Sequence, residues 1–384
     1  MKILFLNYEY PPLGGGAGNA TAYLLREYAK MANLTVHLVT SAVGDEYSRE
    51  RVGKNVVVHR LPIGKDDRNL HYQSRANLLA YSWSAYFFSR KLIRQEGNFS
   101  LIHAFFTVPC GFLAMVLSFE FKLPYIVSLR GADVPGYSER FKLLYSVFRP
   151  LARIVWRRSA DVISNSRGLR DLALMTDARQ EIEIIPNGVD TGQFHPDHER
   201  VSDGMVRILV VSRLTPRKGV RFLVRAMASL PESARLVIAG AGGEREYLES
   251  LAAECGVTER VDFRGLVPHD GTPAVYRECD IFCLPSLNEG MSNTVLEAIA
   301  SGLPIVATVT GGTEELVTDG ENGFFVKKES PEDLAEKIGK LASDAGLRAR
   351  MGAASRIKAE SMDWTAQAMR YVEEYEGSTK LGQK

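Results

Sequence analysis

The chain has 384 residues, 45% of them hydrophobic and 24% charged, with a formal net charge of +1 at pH 7. This is the balance of a soluble globular protein long enough to bury two cores, and a total charge so near zero supplies no field to draw nucleic acid. The four cysteines, Cys110, Cys255, Cys279 and Cys283, have no framework spacing, which excludes a disulfide scaffold and suits a reducing cytosol, with Cys279 and Cys283 expected as buried residues on one face of a strand.

In chain order, Met1 to Leu6 is too short an apolar run for a signal peptide and reads as a first strand. It leads into Gly14-Gly15-Gly16-Ala17-Gly18, ahead of a helix beginning near Asn19. Glycines there let the backbone approach a ligand and aim N–H groups at an anion, although a flexible turn explains them equally. The loop is not G-x-G-x-x-G, since Asn19 takes the last glycine's place and no acidic residue ends the second strand, so a nicotinamide dinucleotide is disfavoured.

Short β-branched runs then alternate with helical segments: Thr35–Thr40, Val56–Leu61, Leu101–Phe106, Tyr125–Leu129, Asp161–Ser166 and Ile182–Ile185. That is the βαβ pattern of a doubly wound parallel sheet. The charge-free stretch Leu101–Phe119 is interrupted by His103, Thr107, Pro109 and Gly111, so it predicts a buried strand and a core helix rather than a membrane span. A lone histidine such as His103 in an apolar strand is by default a satisfied core residue. Residues 141–158 mix aromatic and aliphatic side chains with lysine and arginine and contain no acid. Two readings stand for that helix, a contact with an anionic membrane surface and a core helix whose cations snorkel.

Asp190 to Gly204 turns polar and reads as a linker, after which the pattern restarts with Val206–Ser212, Arg235–Gly240, Val261–Gly265, Ile281–Leu284, Pro304–Val309 and Gly323–Val326. Arg213 and Lys218 follow the first of these strands, where two cations could meet an anion. After the strand in Asp280–Leu287 come Glu289, the loop Gly290-Met291-Ser292-Asn293-Thr294 and a short helix carrying Glu297. Eight residues of helix span ~12 Å, the reach of an extended ligand with a diol at each end and phosphates at the helix N-terminus. Ser330 and Pro331 open a late helix, and a last helix is expected from Trp364 to about Tyr375, with Gly377 to Lys384 as a disordered tail.

Glu289 to Gly302, with Pro285-Ser286 before it, resembles the E-x7-E signature of glycosyltransferase family 4, the retaining nucleotide-sugar-dependent enzymes of GT-B fold. The resemblance extends over nearly the whole chain. It implies an α/β fold of two Rossmann-like domains facing a central cleft: residues 1–195 with the returning C-terminal helix 364–384 on the acceptor side, and 205–363 on the donor side. It implies Arg213 and Lys218 on the diphosphate, Glu289 with Gly290, Met291, Ser292, Asn293 and Thr294 on the sugar, Glu297 on the ribose, and Arg264 and Leu266 at the base. By the same resemblance His103 contacts the transferred sugar, and Gly15 and Gly16 face the donor phosphate or the acceptor. Leu129 to Asp133 is similar to the family's H-G-x-D with Arg130 in place of its histidine, leaving Asp133 as a candidate. Pro186 to Asp190 matches a family turn and is read as structural.

The implied reaction is transfer of a hexose from a UDP- or GDP-linked sugar to a hydroxyl acceptor, with retention, in cell-envelope glycolipid, polysaccharide or glycoconjugate synthesis. No cofactor is expected, and because the chain has no D-x-D, no metal is expected either. The partners expected are the nucleotide sugar and an acceptor, lipid-linked if 141–158 makes a peripheral membrane contact, and the location is the cytoplasm or the inner face of its membrane. A non-hydrolysing epimerase or a phosphorylase of the same architecture, and a nucleotide-sugar sensor without turnover, remain as alternatives.

Overall fold

Each apolar run of the first half becomes a strand of one sheet in the computed structural model, which describes residues 1–68, 70, 73–137, 142–197 and 203–381. The elements are β1 (Lys2–Leu6), α1 (Gly16–Tyr28), β2 (Thr35–Ser41), β3 (Ser48–Val52), β4 (Val56–Leu61), α2 (Arg75–Glu96), β5 (Leu101–Phe105), α3 (Phe112–Phe121), β6 (Tyr125–Leu129), α4 (Lys142–Arg158), β7 (Asp161–Ser164), α5 (Arg167–Leu174) and β8 (Glu183–Ile184). The eight strands run in the order β3-β4-β2-β1-β5-β6-β7-β8, parallel except for β3 against β4. Both faces are covered, as a parallel sheet requires. In β1, Ile3 and Phe5 pack into one core and Leu4 and Leu6 into the other.

The second half repeats the plan with β9 (Val206–Val211), α6 (Val220–Ala226), β10 (Ala234–Ala239), α7 (Arg245–Glu254), β11 (Val261–Gly265), α8 (Thr272–Arg277), β12 (Ile281–Leu284), α9 (Asn293–Ala300), β13 (Ile305–Thr308), β14 (Gly323–Val326), α10 (Pro331–Ser343) and α11 (Ala345–Glu360), followed by α12 (Trp364–Leu381). Its six strands are ordered β11-β10-β9-β12-β13-β14. The chain divides into unit 1, Met1–Asn187 with Trp364–Lys384, and unit 2, Gly188–Asp363. In each sheet the order reverses beside the first strand, at β1/β5 and at β9/β12. Ligands of open α/β sheets bind outside the strands' carboxyl ends at such a point.

The structure departs from the sequence reading in four places. Strand β3 (SRERV) is exposed and charged, so no hydrophobic alternation announces it, and its charges keep an edge strand from pairing with other chains. The boundary falls before Gly188 rather than at 195, because the supposed linker is tied into unit 2. Val189 donates to the Met362 carbonyl at 2.9 Å, Phe194 packs edge-on to Tyr276, and Arg356 donates to the carbonyls of Thr191, Phe194 and Ala300; residues 198–202 of that stretch lie outside the described residues. Helix α12 continues past Tyr375 to Leu381 because Ser378 is buried and donates to Asp161. Finally, Cys279 precedes β12 and packs in a different core from Cys283, so the two do not share a face.

Candidate functional site

In unit 2 four loops leave the carboxyl ends of β9, β10, β12 and β13 and pack backbone against backbone. Gly219, at φ +66°, lies so close to the loop after β12 that a Cβ would stand 2.1 Å from the Pro285 carbonyl oxygen. The Leu287 N–H donates to the Arg217 carbonyl at 2.8 Å. Gly240 abuts the Ser212 carbonyl, and Gly312 abuts Gly290. These contacts fix the backbone around the switch point.

On this frame stand the acidic and basic groups. Lys218 and Glu289 form an ion pair, their side chains only 13% and 10% exposed, and Ser286 Oγ lies 3.4 Å from the same carboxylate oxygen. Arg213 is exposed on the loop after β9. Ser292 occupies the cap position of α9, yet its hydroxyl meets Thr294 Oγ1 at 3.1 Å and makes no capping hydrogen bond to the helix. A helix N-terminus in that condition favours an anion. About one turn into α9, Glu297 Oε2 accepts a 2.8 Å hydrogen bond from the Tyr276 hydroxyl. Burial pushes the Glu297 carboxyl up to about 7, with the Tyr276 hydroxyl opposing it.

That shift has a sign for stability. With a folded value above the unfolded one, the stabilisation is complete below the ordinary carboxylate range near 4.5 and is lost as pH rises through about 7. A shift of this size corresponds to about 3 kcal/mol. Glu297→Gln is therefore expected to raise the thermal midpoint at pH 8 and to leave it nearly unchanged at pH 4. Equal shifts at both pH values, by calorimetry, would contradict a buried ionising carboxylate.

The other residues singled out from sequence lie elsewhere. Leu266 is 69% exposed just beyond β11, but Arg264 is held by Asp262 and by Glu278 at 3.1 Å. Its side chain shares a polar depression with Arg207, at the amino end of β9, and with Arg277. Asp262, two residues earlier on the same face of β11, and Glu278 hold the guanidinium at that depression, which differs from the expected place at a base pocket.

In unit 1, Gly15 caps α1 with its N–H 3.3 Å from Glu9 Oε2, and Gly15 and Gly16 are both exposed. His103 is fully buried in β5. Its Nδ1 meets the Tyr375 hydroxyl and its Nε2 the Ser128 hydroxyl, both at 2.8 Å, and its ring stacks on Phe5. Burial, then the Arg130 charge, holds the imidazole well below its usual range. With both nitrogens committed inside the core, His103 offers no contact to a sugar, and the bland reading of a lone histidine in an apolar strand replaces the expected one. His103→Leu should lower stability by about 1–3 kcal/mol, because the Ser128 hydroxyl loses its partner while the Tyr375 hydroxyl keeps Tyr28, seen as an earlier urea midpoint with nucleotide binding retained.

Asp133 is likewise a structural carboxylate. One oxygen accepts from the N–H groups of Arg130 and Gly131, the other from the N–H and hydroxyl of Thr107, at 2.8–3.1 Å, so it cinches the loops after β5 and β6 instead of reaching a donor. Arg130 lies over the Phe105 ring and donates to Asn187 Oδ1 and the Tyr371 hydroxyl, each at 2.9 Å. In α4, Ala152, Val155 and Trp156 are core, Arg153 donates to the Thr176 carbonyl, and Arg157 forms a two-pronged pair with Asp177. The described part of α4 thus packs one face into the core and holds Arg153 and Arg157, while Ile154 is 46% exposed on the other; residue 141 and the side chains of 142–147 lie outside the described residues.

Sequence reasoning missed the loops after β10 and β13. Their signals were present as Gly240 to Gly243 and as Gly311-Gly312, each directly following an apolar run. Among the described residues no group of three or more His, Cys, Asp or Glu side chains is placed to hold a metal ion.

Residues 194–358 match the family described as glycosyl transferases group 1, and residues 15–188 match the glycosyl transferase 4-like domain. The chain is 34% identical over 410 residues to the GDP-mannose-dependent alpha-(1-6)-phosphatidylinositol monomannoside mannosyltransferase of Mycolicibacterium smegmatis, covering 99% of this chain and 100% of the relative. The chain is a group 1, family 4-type glycosyltransferase. This glycosyltransferase also has solved neighbours of GT-B fold. The sucrose-phosphate synthase of Thermosynechococcus elongatus superposes with a TM-score of 0.85 at 21% identity over 98% of both chains. Anabaena HepE, solved with UDP and glucose, superposes with a TM-score of 0.77 at 23% identity over 98% of this chain and 100% of its own. Among its described residues no helix is long and apolar enough to cross a membrane.

Proposed function

We propose that this glycosyltransferase moves a hexose from a UDP- or GDP-linked sugar to a hydroxyl acceptor with retention of anomeric configuration, and that unit 2 binds the donor. The observation that carries the reading is the Lys218–Glu289 ion pair, largely buried at the β9/β12 switch point beside an α9 N-terminus that Ser292 does not cap through its side chain. A diphosphate brought there takes Glu289's place on Lys218, joined by exposed Arg213 and the α9 amides, while Glu289 and the Gly290–Thr294 loop turn to the hexose hydroxyls. Glu297 then accepts from the ribose diol and Leu266 borders the base. In the reaction the bond from C1 to the diphosphate oxygen breaks, the acceptor oxygen bonds to C1 on the same face, and the acceptor proton passes to the departing phosphate. The two cations and the helix dipole balance the leaving charge without a metal.

The relative's printed substrates, GDP-mannose and a phosphatidylinositol mannoside, support a mannose-type donor and a lipid-linked acceptor of the cell envelope, with unit 1 as the acceptor-binding part; HepE's UDP and glucose support the UDP series equally. Cytoplasmic placement at the membrane face follows from such an acceptor. The test is release of nucleoside diphosphate from a panel of UDP-, GDP- and ADP-sugars, alone and with a crude lipid extract. Release from one donor, increased by extract, is the expected result. An isomerised sugar nucleotide without acceptor would assign an epimerase, and tight binding without turnover a sensor. Arg213→Ala should weaken binding of the free nucleoside diphosphate by about tenfold, and unchanged calorimetric affinity would remove Arg213 from the site.

A further inference from the structure

We propose that the outer face of α2 docks unit 1 on an anionic membrane surface. Leu79, Trp83 and Phe87 point outward from this helix, 72%, 71% and 45% exposed. Four-residue spacing places them in one stripe over more than two turns, and the Trp83 and Phe87 rings lie 4.8 Å apart. The opposite face of α2, with Tyr81, Ala85, Leu92 and Ile93, already fills the core, so the outer stripe has no packing task. Helix α3 lies alongside, joined through Glu120 to Tyr86, Arg90 and Arg94. It exposes Phe119 at 76%, with Lys122 Nζ 4.7 Å from that ring. Large apolar side chains grouped in this way on a water-facing surface mark an interaction site.

Charge selects the occupant. Exposed Arg75 and Lys91 bracket the stripe, and from Arg75 to Gln95 α2 contains no acidic residue. Glu120, the one acid of α3, is neutralised by Arg90 and Arg94. The face is thus aromatic and aliphatic with a cationic edge, which an anionic headgroup layer over acyl chains matches on both counts. A second copy docked about a two-fold axis would set cation against cation. No described helix can cross a bilayer, so the contact is peripheral. It is a different surface from α4, and it does not depend on which donor is used.

The molecule contains its own reporter. Of its three tryptophans, Trp156 and Trp364 are buried and Trp83 is exposed. With phosphatidylcholine vesicles containing phosphatidylglycerol, the full chain should co-sediment and its emission should shift to the blue. Pure phosphatidylcholine should give much less of both, and added salt should reverse them. Leu79→Ser, Trp83→Ser and Phe87→Ser together should reduce partitioning by at least about tenfold. As a second variant that leaves the apolar stripe intact, Arg75→Glu with Lys91→Glu should weaken binding to the anionic vesicles alone. Trp83→Phe should keep sedimentation and lose the spectral shift. The proposal is overturned if the native chain fails to sediment with anionic vesicles, or if the triple variant sediments as well as the native chain. It is equally overturned if ultracentrifugation finds a dimer that the triple variant abolishes, which would assign the face to a second copy.

Discussion

Replacing Glu289 by alanine should lower turnover by about 10²–10³-fold while leaving the affinity for free nucleoside diphosphate unchanged or tighter. The asymmetry follows from the ion pair. In the structure Glu289 neutralises Lys218, with both side chains largely buried. Without the carboxylate, Lys218 keeps its position beside Gly219 and has no competitor for the diphosphate. The hexose loses an acceptor of charge-assisted hydrogen bonds, and loses it most where the sugar develops positive charge. Lys218→Ala should do the reverse at the nucleotide, weakening it by about tenfold or more, because a buried carboxylate is then left facing the phosphates. Single-turnover kinetics and calorimetry on the same preparations separate the two quantities. Equal loss of turnover and affinity in Glu289→Ala would place Glu289 outside the sugar site.

Gly219→Ala should damage both the fold of unit 2 and its binding site. At φ +66° an L-residue pays about 1 kcal/mol, and the added Cβ would lie 2.1 Å from the Pro285 carbonyl oxygen, a backbone atom that no side-chain rotation can move aside. The loops after β9 and β12 must part, which breaks the Leu287 to Arg217 hydrogen bond and displaces Lys218 from Glu289. A loss of roughly 3 kcal/mol or more is expected, together with loss of nucleotide binding even at temperatures where the chain remains folded. Gly243→Ala is the control, since nothing lies within 4 Å of its Cβ position and it has no positive φ. Matching urea midpoints and affinities for the two variants would show that the loop contact does not shape the site.

Most sheet strands were legible because parallel strands buried on both faces must be nearly continuous apolar runs, and β1 and β9, each with four buried apolar residues, can hardly be anything else. The placing of Lys218 and Glu289 in the loops that leave β9 and β12 was legible too, since each follows an apolar run within a few residues. Direction was not. His103 and Arg264 sit in strands where a shift of one residue exchanges one face for the other, and only the packing of Tyr375 against one and of Asp262 and Glu278 against the other decides what each side chain meets. Asp133 shows a related limit. Its short spacing from Arg130 is visible in sequence, but Thr107, its other partner, comes from a distant loop. The exposed stripe on α2 escaped notice because Leu, Trp and Phe in a long helix look like core until the inner face is seen to be full.

Helix α12 has a consequence for the order in which the molecule can be made. The ribosome delivers all of unit 2 before it delivers Trp364, and with it the helix whose Tyr371 and Tyr375 close the core of unit 1. During synthesis the first 187 residues therefore wait with Tyr28 and His103 lacking the hydroxyl that joins them, while the later-made unit can already fold. Stop codons late in the gene would accordingly damage the part of the protein encoded first.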